Sequence, residues 1–504
     1  MATICVDAGT SIIKTVAFDD YGTEIALARQ ETKVLRPAPG FSEQDMDSVW
    51  NAAASTIRSV VKELPNSVRL ISLTAQGDGC WLVDTEGHPT GPAILWNDAR
   101  AAAIVDRWRE AGVLKEAFHR NGSQAFAGLP NGIFAWLKRH DPGRLERSHK
   151  SLCCNGWIFY NLTGRMAIDE SDASVPFFDV RARRYSAELL ELYGLEWAER
   201  LLPEVLPDDR RVGELRATAA TEFGLPAGLP VVMSPYDVAS TAIGVGAVSD
   251  GQACSILGTT LCTNVVMNQV NLEGEPSGLT LPFGPPGLYL RAFPTLAGAE
   301  VIHWAVRQLG LSGVSDLSAL AAKAEPGANG LCFLPYLSPA GERVPFLNTG
   351  ARGSIFGLSF EHGREHIARS VLEGLSLVIR DCLQASHEAA ASLSNCGLCG
   401  GGANSDVWCQ LISDVIGRPT FRPMDQEVGA KGAFIAGLVA TGQEEDFPSA
   451  AKDYVRIRDM FEPDSERHAR YNEIFEHFLA IRESTRPIWK RMADDRVRRA
   501  EPTA

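Results

Sequence analysis

The sequence contains no run approaching about 18 uninterrupted apolar residues, so no membrane-spanning helix is expected. Its first residues, Met1 to Asp7, carry neither a basic region nor a long apolar one, which argues against a secretory signal. Positive charge is in deficit. The 48 Lys+Arg stand against 62 Asp+Glu, a formal charge of -14, and such a chain repels nucleic acid and anionic lipid. A pairing frame for cysteine is missing as well. The 11 cysteines are odd in number and scattered over the whole length, the pattern of reduced thiols in a cytoplasmic protein.

Several signatures are absent. There is no G-x-x-x-x-G-K-[ST], which excludes a P-loop, and no complete G-x-G-x-x-G after the first apolar strand. There is no H-E-x-x-H; His387-Glu388 lacks its second histidine. Cys396-Gly-Leu-Cys399 has no second C-x-x-C to complete a zinc set, and it reads as part of an apolar strand leading into Gly400.

What is present describes a folded protein. The 504 residues correspond to about two to four domains, and 45% hydrophobic with 22% charged residues is an ordinary globular balance. Residues 3–7 (TICVD) predict a strand, Ala8 to Ser11 a small-residue turn, and Lys14 to Phe18 a second strand. A third strand follows at Glu24 to Arg29. Apolar residues at helical spacing predict a helix near 45–63, followed by strands at Arg69 to Thr74 and Cys80 to Asp84. The second half opens in the same way, with strand Gln252 to Leu257, turn Gly258-Thr259-Thr260 and strand Thr263 to Met267. This repetition implies two duplicated α/β domains flanking a cleft, 1–247 and 248–484. Further helices are expected at 364–393, 405–416, 430–440 and 464–484, and the 485–504 tail is expected to be loosely held.

Five segments carry chemistry. Asp7-Ala-Gly-Thr10-Ser11 with Lys14 joins a carboxylate to a tight turn whose N–H groups and hydroxyls can hold phosphate oxygens. Asp7 repels phosphate unless Mg²⁺ stands between them, and the plain alternative is a capped hairpin. Gly258-Thr259-Thr260 is a second such turn, or an ordinary one. Gly400-Gly401-Gly402-Ala-Asn-Ser405 precedes a helix and presents free N–H groups and a side-chain-poor surface on which a flat base or ribose can lie. Asp237 heads a small-residue helix, as a cap or as a general base. Gln76-Gly-Asp78-Gly and Trp96-Asn-Asp98-Ala-Arg100 combine an aromatic face with amide and carboxylate groups, which suits a hydroxyl-rich ligand.

In this order the five segments resemble the FGGY carbohydrate kinases, within the superfamily of actin, hexokinase and the heat-shock ATPases; the likeness spans nearly all of 3–480. Glu342-Arg343-Val-Pro345, Gly350-Ala-Arg-Gly353, Phe356-Gly357-Leu358 and Leu372-Glu373-Gly374 extend it. The resemblance implies two actin-like (ribonuclease H-like) domains and transfer of phosphate from ATP to a terminal hydroxyl of a small polyol or ketose. In that reading Asp237 is the catalytic base and Asp7 holds Mg²⁺, directly or through water. Thr10, Ser11, Lys14, Gly258, Thr259 and Thr260 hold phosphates, and Gly401, Gly402 and Ser405 line the adenosine. Gln76, Asp78, Trp96, Asp98, Arg100 and Asp237 bind the acceptor. Neither nucleic acid nor membrane is an expected partner, and a homodimer is left open.

One departure bears on the substrate. Ketopentose members often carry S-G-Q-x-H-G where this chain reads Thr74-Ala-Gln76-Gly-Asp78-Gly79. The absent histidine argues against D-xylulose, and the segment is closer to the erythritol and L-xylulose/3-keto-L-gulonate branches. The extra acid disfavours a sugar acid, so a neutral tetritol or pentulose is expected. A non-catalytic sugar- or nucleotide-sensing protein on the same fold is the alternative; a chaperone-like ATPase would need a further domain.

Overall fold

The computed structural model describes residues 1–64, 67–207, 211–386 and 393–500. The first hairpin is β1 (Ala2–Ala8) with β2 (Ile12–Phe18), in a register that sets Asp7 opposite Lys14. Period-two alternation sends Ile4, Val6 and Ala8 into one core with Val49, Ala53 and Ile57 of the helix Met46–Glu63. That helix starts where the Asp45 side chain accepts the Ser48 N–H at 2.7 Å. The sheet is completed by β3 (Glu24–Glu31), β4 (Val68–Ala75), β5 (Val212–Glu214) and β6 (Pro230–Met233), in the order β5-β6-β4-β1-β2-β3.

A second sheet contains β7 (Gln252–Leu257), β8 (Leu261–Met267), β9 (Asn395–Cys399), β10 (Thr420–Pro423) and β11 (Ile457–Phe461). Its pairing repeats the first. β7 is antiparallel to β8 and parallel to β9, β9 is parallel to β10, and β10 is antiparallel to β11. The same sequence of directions runs from β2 through β1, β4 and β6 to β5. Both sheets are therefore mixed, with a Gly-Thr hairpin at the same place in each.

The chain divides into two compact units. One comprises Met1–Ser249, Val266–Leu290 and Glu427–Val455; the other comprises Asp250–Val265, Arg291–Gln426 and the chain from Arg456 onward. In the first unit the helices Asp237–Val245 and Val428–Ala440 cross backbone to backbone. A Cβ on Gly244 would lie 1.9 Å from the Val428 carbonyl oxygen, and one on Gly432 only 1.7 Å from that of Ser240. This contact explains the small-residue composition of both helices.

The helix expected at 364–393 runs Arg364–Ala385, and residues 387–392 lie outside the described part. Residues 486–500 differ from expectation. One helix, Ser465–Ala500, continues through Pro487, because Trp489 is 2% exposed and stacks with Phe346 at 6.4 Å, a buried anchor in a charged stretch. None of the 11 cysteines is in a disulfide, and all are buried. Among the described residues no helix is long and apolar enough to cross a membrane.

Candidate active site

In the first unit, Asp7 ends β1 and Asp237 opens the helix Asp237–Val245, both half-buried. Oδ1 of Asp237 accepts the Val238 N–H at 2.7 Å. Burial, reinforced by the charges of Asp7 and Asp78, pushes its carboxyl up to about 8, against the pull of that hydrogen bond. Asp7 is pushed up to about 6 by burial, with Lys14 lowering it and Glu427 raising it. Asp78 occupies the left-handed region at φ 58, between two glycines with separate reasons to be glycine. A Cβ on Gly77 would strike the Tyr236 ring at 2.5 Å, and one on Gly79 would strike the Ile94 carbonyl at 2.6 Å. The Gln-Gly-Asp-Gly turn thus projects a carboxylate from a backbone held on both sides.

Three predicted residues meet in one network. Thr10 Oγ1 donates to Gln76 Oε1 at 2.6 Å and accepts the Trp96 indole N–H at 3.0 Å. Gln76 Nε2 donates to Gln44 Oε1 at 2.8 Å, and Gln44 in turn donates to the Thr10 carbonyl at 2.7 Å. The Thr10 hydroxyl, expected on phosphate, is bonded inside the protein, while Ser11 of the same turn is exposed. Asp98 and Arg100 are joined to each other. Arg100 Nε and Nη2 each donate to the Asp98 carboxylate at 2.9 Å, and Nη2 also reaches Glu43 at 2.6 Å. Asp98 further accepts the Ser42 N–H at 2.7 Å, and the guanidinium lies 4.1 Å from the Phe41 ring centroid. Both side chains are almost wholly buried. They clamp the loop 41–44 onto the segment bearing Trp96.

Lys14 also has a partner: its ammonium lies 2.8 Å from Oε2 of Glu427, which is paired with Arg29 as well. Glu427 precedes the helix Val428–Ala440, and a Cβ on the next turn's Gly429 would stand 2.9 Å from Asp7 Oδ2. Asp7 is thus set against a helix N-terminus, whose free N–H groups favour an anion. Sequence reasoning missed Glu427, Gly429 and Gln44. The signal for Glu427 existed: an acid heading a small-residue helix, the same pattern that marked Asp237.

The second unit holds a pocket of about 920 Å³ lined by Gly258, Thr259, Gly401, Gly402 and Ser405, with Glu300, His303 and Ser318 opposite. That is the size of a small-molecule site. Gly402 is required by packing, since a Cβ there would strike Trp408 at 2.4 Å, whereas around Gly401 there is open space within 4 Å. Ser405 accepts the Trp408 N–H at 3.2 Å as the N-cap of the helix Asp406–Ile416 and shares a 2.9 Å hydroxyl contact with Ser318. Thr260 turns away from the lining; its backbone packs on Gly298.

Fold and site define a two-unit α/β kinase. Residues 2–244 match the N-terminal domain of the FGGY family of carbohydrate kinases, and residues 253–441 match its C-terminal domain. The chain belongs to the FGGY family of carbohydrate kinases. It is 31% identical to the erythritol kinase of Brucella abortus (strain 2308), covering 97% of each chain. It is 29% identical to the xylulose kinase of Escherichia coli (strain K12), over 96% of this chain and 99% of that one. Among solved structures, the xylulose kinase from Rhodospirillum rubrum superposes with a TM-score of 0.89 at 25% identity, over 97% of this chain and 100% of that one. The Plasmodium falciparum glycerol kinase with ADP superposes with a TM-score of 0.84 at 19% identity, over 95% and 98%, and shares the fold.

Proposed function

We propose that this kinase transfers the terminal phosphate of ATP to a terminal hydroxyl of a small neutral polyol or ketose, erythritol- or pentulose-like. The observation that carries the reading is Asp237, a carboxylate at a helix head whose surroundings hold its affinity for a proton close to neutral pH. Such a group takes the proton of the attacking hydroxyl as the phosphorus–oxygen bond forms. Asp78 and Trp96 orient the acceptor. Gln76, Asp98 and Arg100 act as positioning residues behind them, because Gln76 is bonded to Thr10 and Gln44 while Asp98 and Arg100 are bonded to each other. The N–H groups and Ser11 of the first hairpin, with Gly258 and Thr259 of the second, hold phosphate oxygens by directional donors. The glycine-floored pocket takes the adenosine.

A divalent cation fits beside Asp7. The donor there is a hard carboxylate oxygen, and burial makes the bare Asp7 anion costly even with Lys14 nearby, so a bound cation relieves it. When present, Mg²⁺ would neutralise phosphate charge. The erythritol kinase and xylulose kinase relatives support a neutral acceptor.

The test is a coupled ATP assay across tetritols, pentitols, pentuloses, hexuloses and sugar acids. ATP consumption that depends on an added neutral polyol or ketose is expected. Turnover confined to a sugar acid would overturn the substrate class, and binding of sugar or nucleotide with no turnover would favour the sensing alternative.

A further inference from the structure

Against Gly79, the residue after Asp78, the first unit contains a cavity of about 30 Å³, with Cys153, Asp172 and Tyr185 on its wall beside Phe134 and Phe177. That is room for one or two water-sized groups. Asp172 lies on the short helical turn Glu170–Ala173 and is 5% exposed. Neither of its carboxyl oxygens has an N–H or O–H partner, its one hydrogen-bonding neighbour being the weak Cys153 thiol, and the buried Tyr185 hydroxyl has no partner. The Cys153 thiol stands beside them. Neighbouring Asp169 is different. Its Oδ2 accepts both the Ser171 N–H at 2.9 Å and the Ser171 hydroxyl at 2.6 Å, and its Oδ1 accepts the Asp172 N–H at 3.3 Å, so it caps the turn.

The cavity is tied to the proposed reaction centre. Ser171 Oγ accepts the N–H of Tyr236, the residue before Asp237, at 3.0 Å. Asp172 is close enough to feel the charges of both Asp78 and Asp237. A buried carboxyl whose one hydrogen-bonding neighbour is a thiol is costly, and such groups are normally completed by a stronger partner. The walls offer aromatic carbon and a thiol in place of the several hard oxygens a metal cation demands. What suits an apolar sleeve ending in an acceptor and a phenol is one carbon bearing one hydroxyl.

We propose that this cavity is an acceptor subsite: it takes the hydroxymethyl end of the polyol or ketose remote from the phosphorylated hydroxyl, with Asp172 accepting that hydroxyl's hydrogen bond and Tyr185 contacting its oxygen. The proposal rests on reading the first unit as the acceptor-binding half. It makes Asp172 a specificity-determining residue. A terminal methyl leaves Asp172 unsatisfied, and a terminal carboxylate would meet the charge of Asp78 beside a carboxyl that burial already keeps from ionising.

The experiment compares kcat/KM for erythritol and L-xylulose with that for their terminally deoxygenated analogues, in the wild type, Asp172→Leu and Asp172→Asn. Acceptor binding is also measured by calorimetry, which is independent of turnover. A site built to bond a hydroxyl rejects the analogue strongly, so the wild type is expected to prefer the hydroxylated acceptor by about 100-fold or more. Asp172→Leu should cut that preference to below about 10-fold by raising the acceptor KM and Kd, with the ATP KM unchanged. Asp172→Asn, which still offers an acceptor oxygen, should restore most of it. An unchanged preference in folded Asp172→Leu overturns the subsite while leaving the kinase reading intact. Loss of activity that added K⁺ restores would make the cavity a cation site and overturn it equally. If the wild type turns over no neutral acceptor, the acceptor reading itself falls and the subsite with it.

Discussion

The Asp7 carboxylate faces the bare side of Gly429: Oδ2 stands 2.9 Å from the position a Cβ there would take. Residues some four hundred positions apart thereby form one surface, a strand-end carboxylate set on the first turn of a helix. Gly429→Ala should displace the carboxylate and leave the fold intact, since alanine favours a helix. A misplacement of this kind costs up to about 10²-fold in rate. The check is kcat against Mg²⁺ concentration: kcat should fall and the Mg²⁺ requirement should rise at an unchanged melting temperature. Wild-type kcat and Mg²⁺ dependence would remove Asp7 from the phosphate site.

Asp237→Asn should keep acceptor and ATP binding while lowering kcat by about 10²–10⁴-fold, the usual loss for a missing general base. Binding measured by calorimetry and turnover by the coupled assay separate the two effects. Near-normal turnover would show that another group takes the proton.

The pH dependence follows from the same carboxyl. It must be ionised to accept a proton, and it ionises only near about 8 in the folded protein, so kcat/KM for the acceptor should climb through neutral pH and level off above about 8. Stability moves the other way. The folded state holds the neutral form, while the unfolded chain ionises near 3.8, so stability falls as pH rises between those values. Asp237→Asn removes this loss. Its melting temperature should exceed that of the wild type by a few degrees at about pH 8 and match it at about pH 4. A constant offset would contradict the shifted carboxyl.

Arg100→Ala removes the partner of the buried Asp98 and the cation resting on Phe41. Breaking a buried pair from one side costs about 3–5 kcal/mol, so a marked drop in melting temperature is expected. Loss of acceptor binding at an unchanged melting temperature would mean that the guanidinium touches the ligand.

The two central glycines of the second unit should separate. Gly402→Ala collides with Trp408 at 2.4 Å and should destabilise the protein, whereas Gly401→Ala enters open space in the pocket. Gly401→Ala should therefore raise the KM for ATP with little change in thermal stability. Equal ATP KM values for Gly401→Ala and wild type would place the nucleotide elsewhere.

Local pattern was enough for the elements that carry the chemistry. Alternating apolar residues set β1 and β2, helical spacing set Met46–Glu63, and the glycines at 400–402 marked the pocket floor, because each depends on neighbours in the chain. Five ordered motifs were enough for the family. Three-dimensional packing decided the rest. Thr10 looked like a phosphate ligand, yet its hydroxyl is taken by Gln76 and Trp96, partners 66 and 86 residues away. Asp98 and Arg100 looked like ligand groups and proved to satisfy each other. The helix Val428–Ala440 belongs with the first unit although it follows most of the second in the chain, and it brings Glu427 and Gly429 to Asp7. No periodicity reports such meetings, because they depend on which helix backbones can approach closely, and here Gly244 and Gly432 permit it. Sequence by itself determined the elements, the duplication and the kind of chemistry; tertiary structure decided which polar groups remain free to perform it, since a side chain's availability depends on partners that only folding supplies.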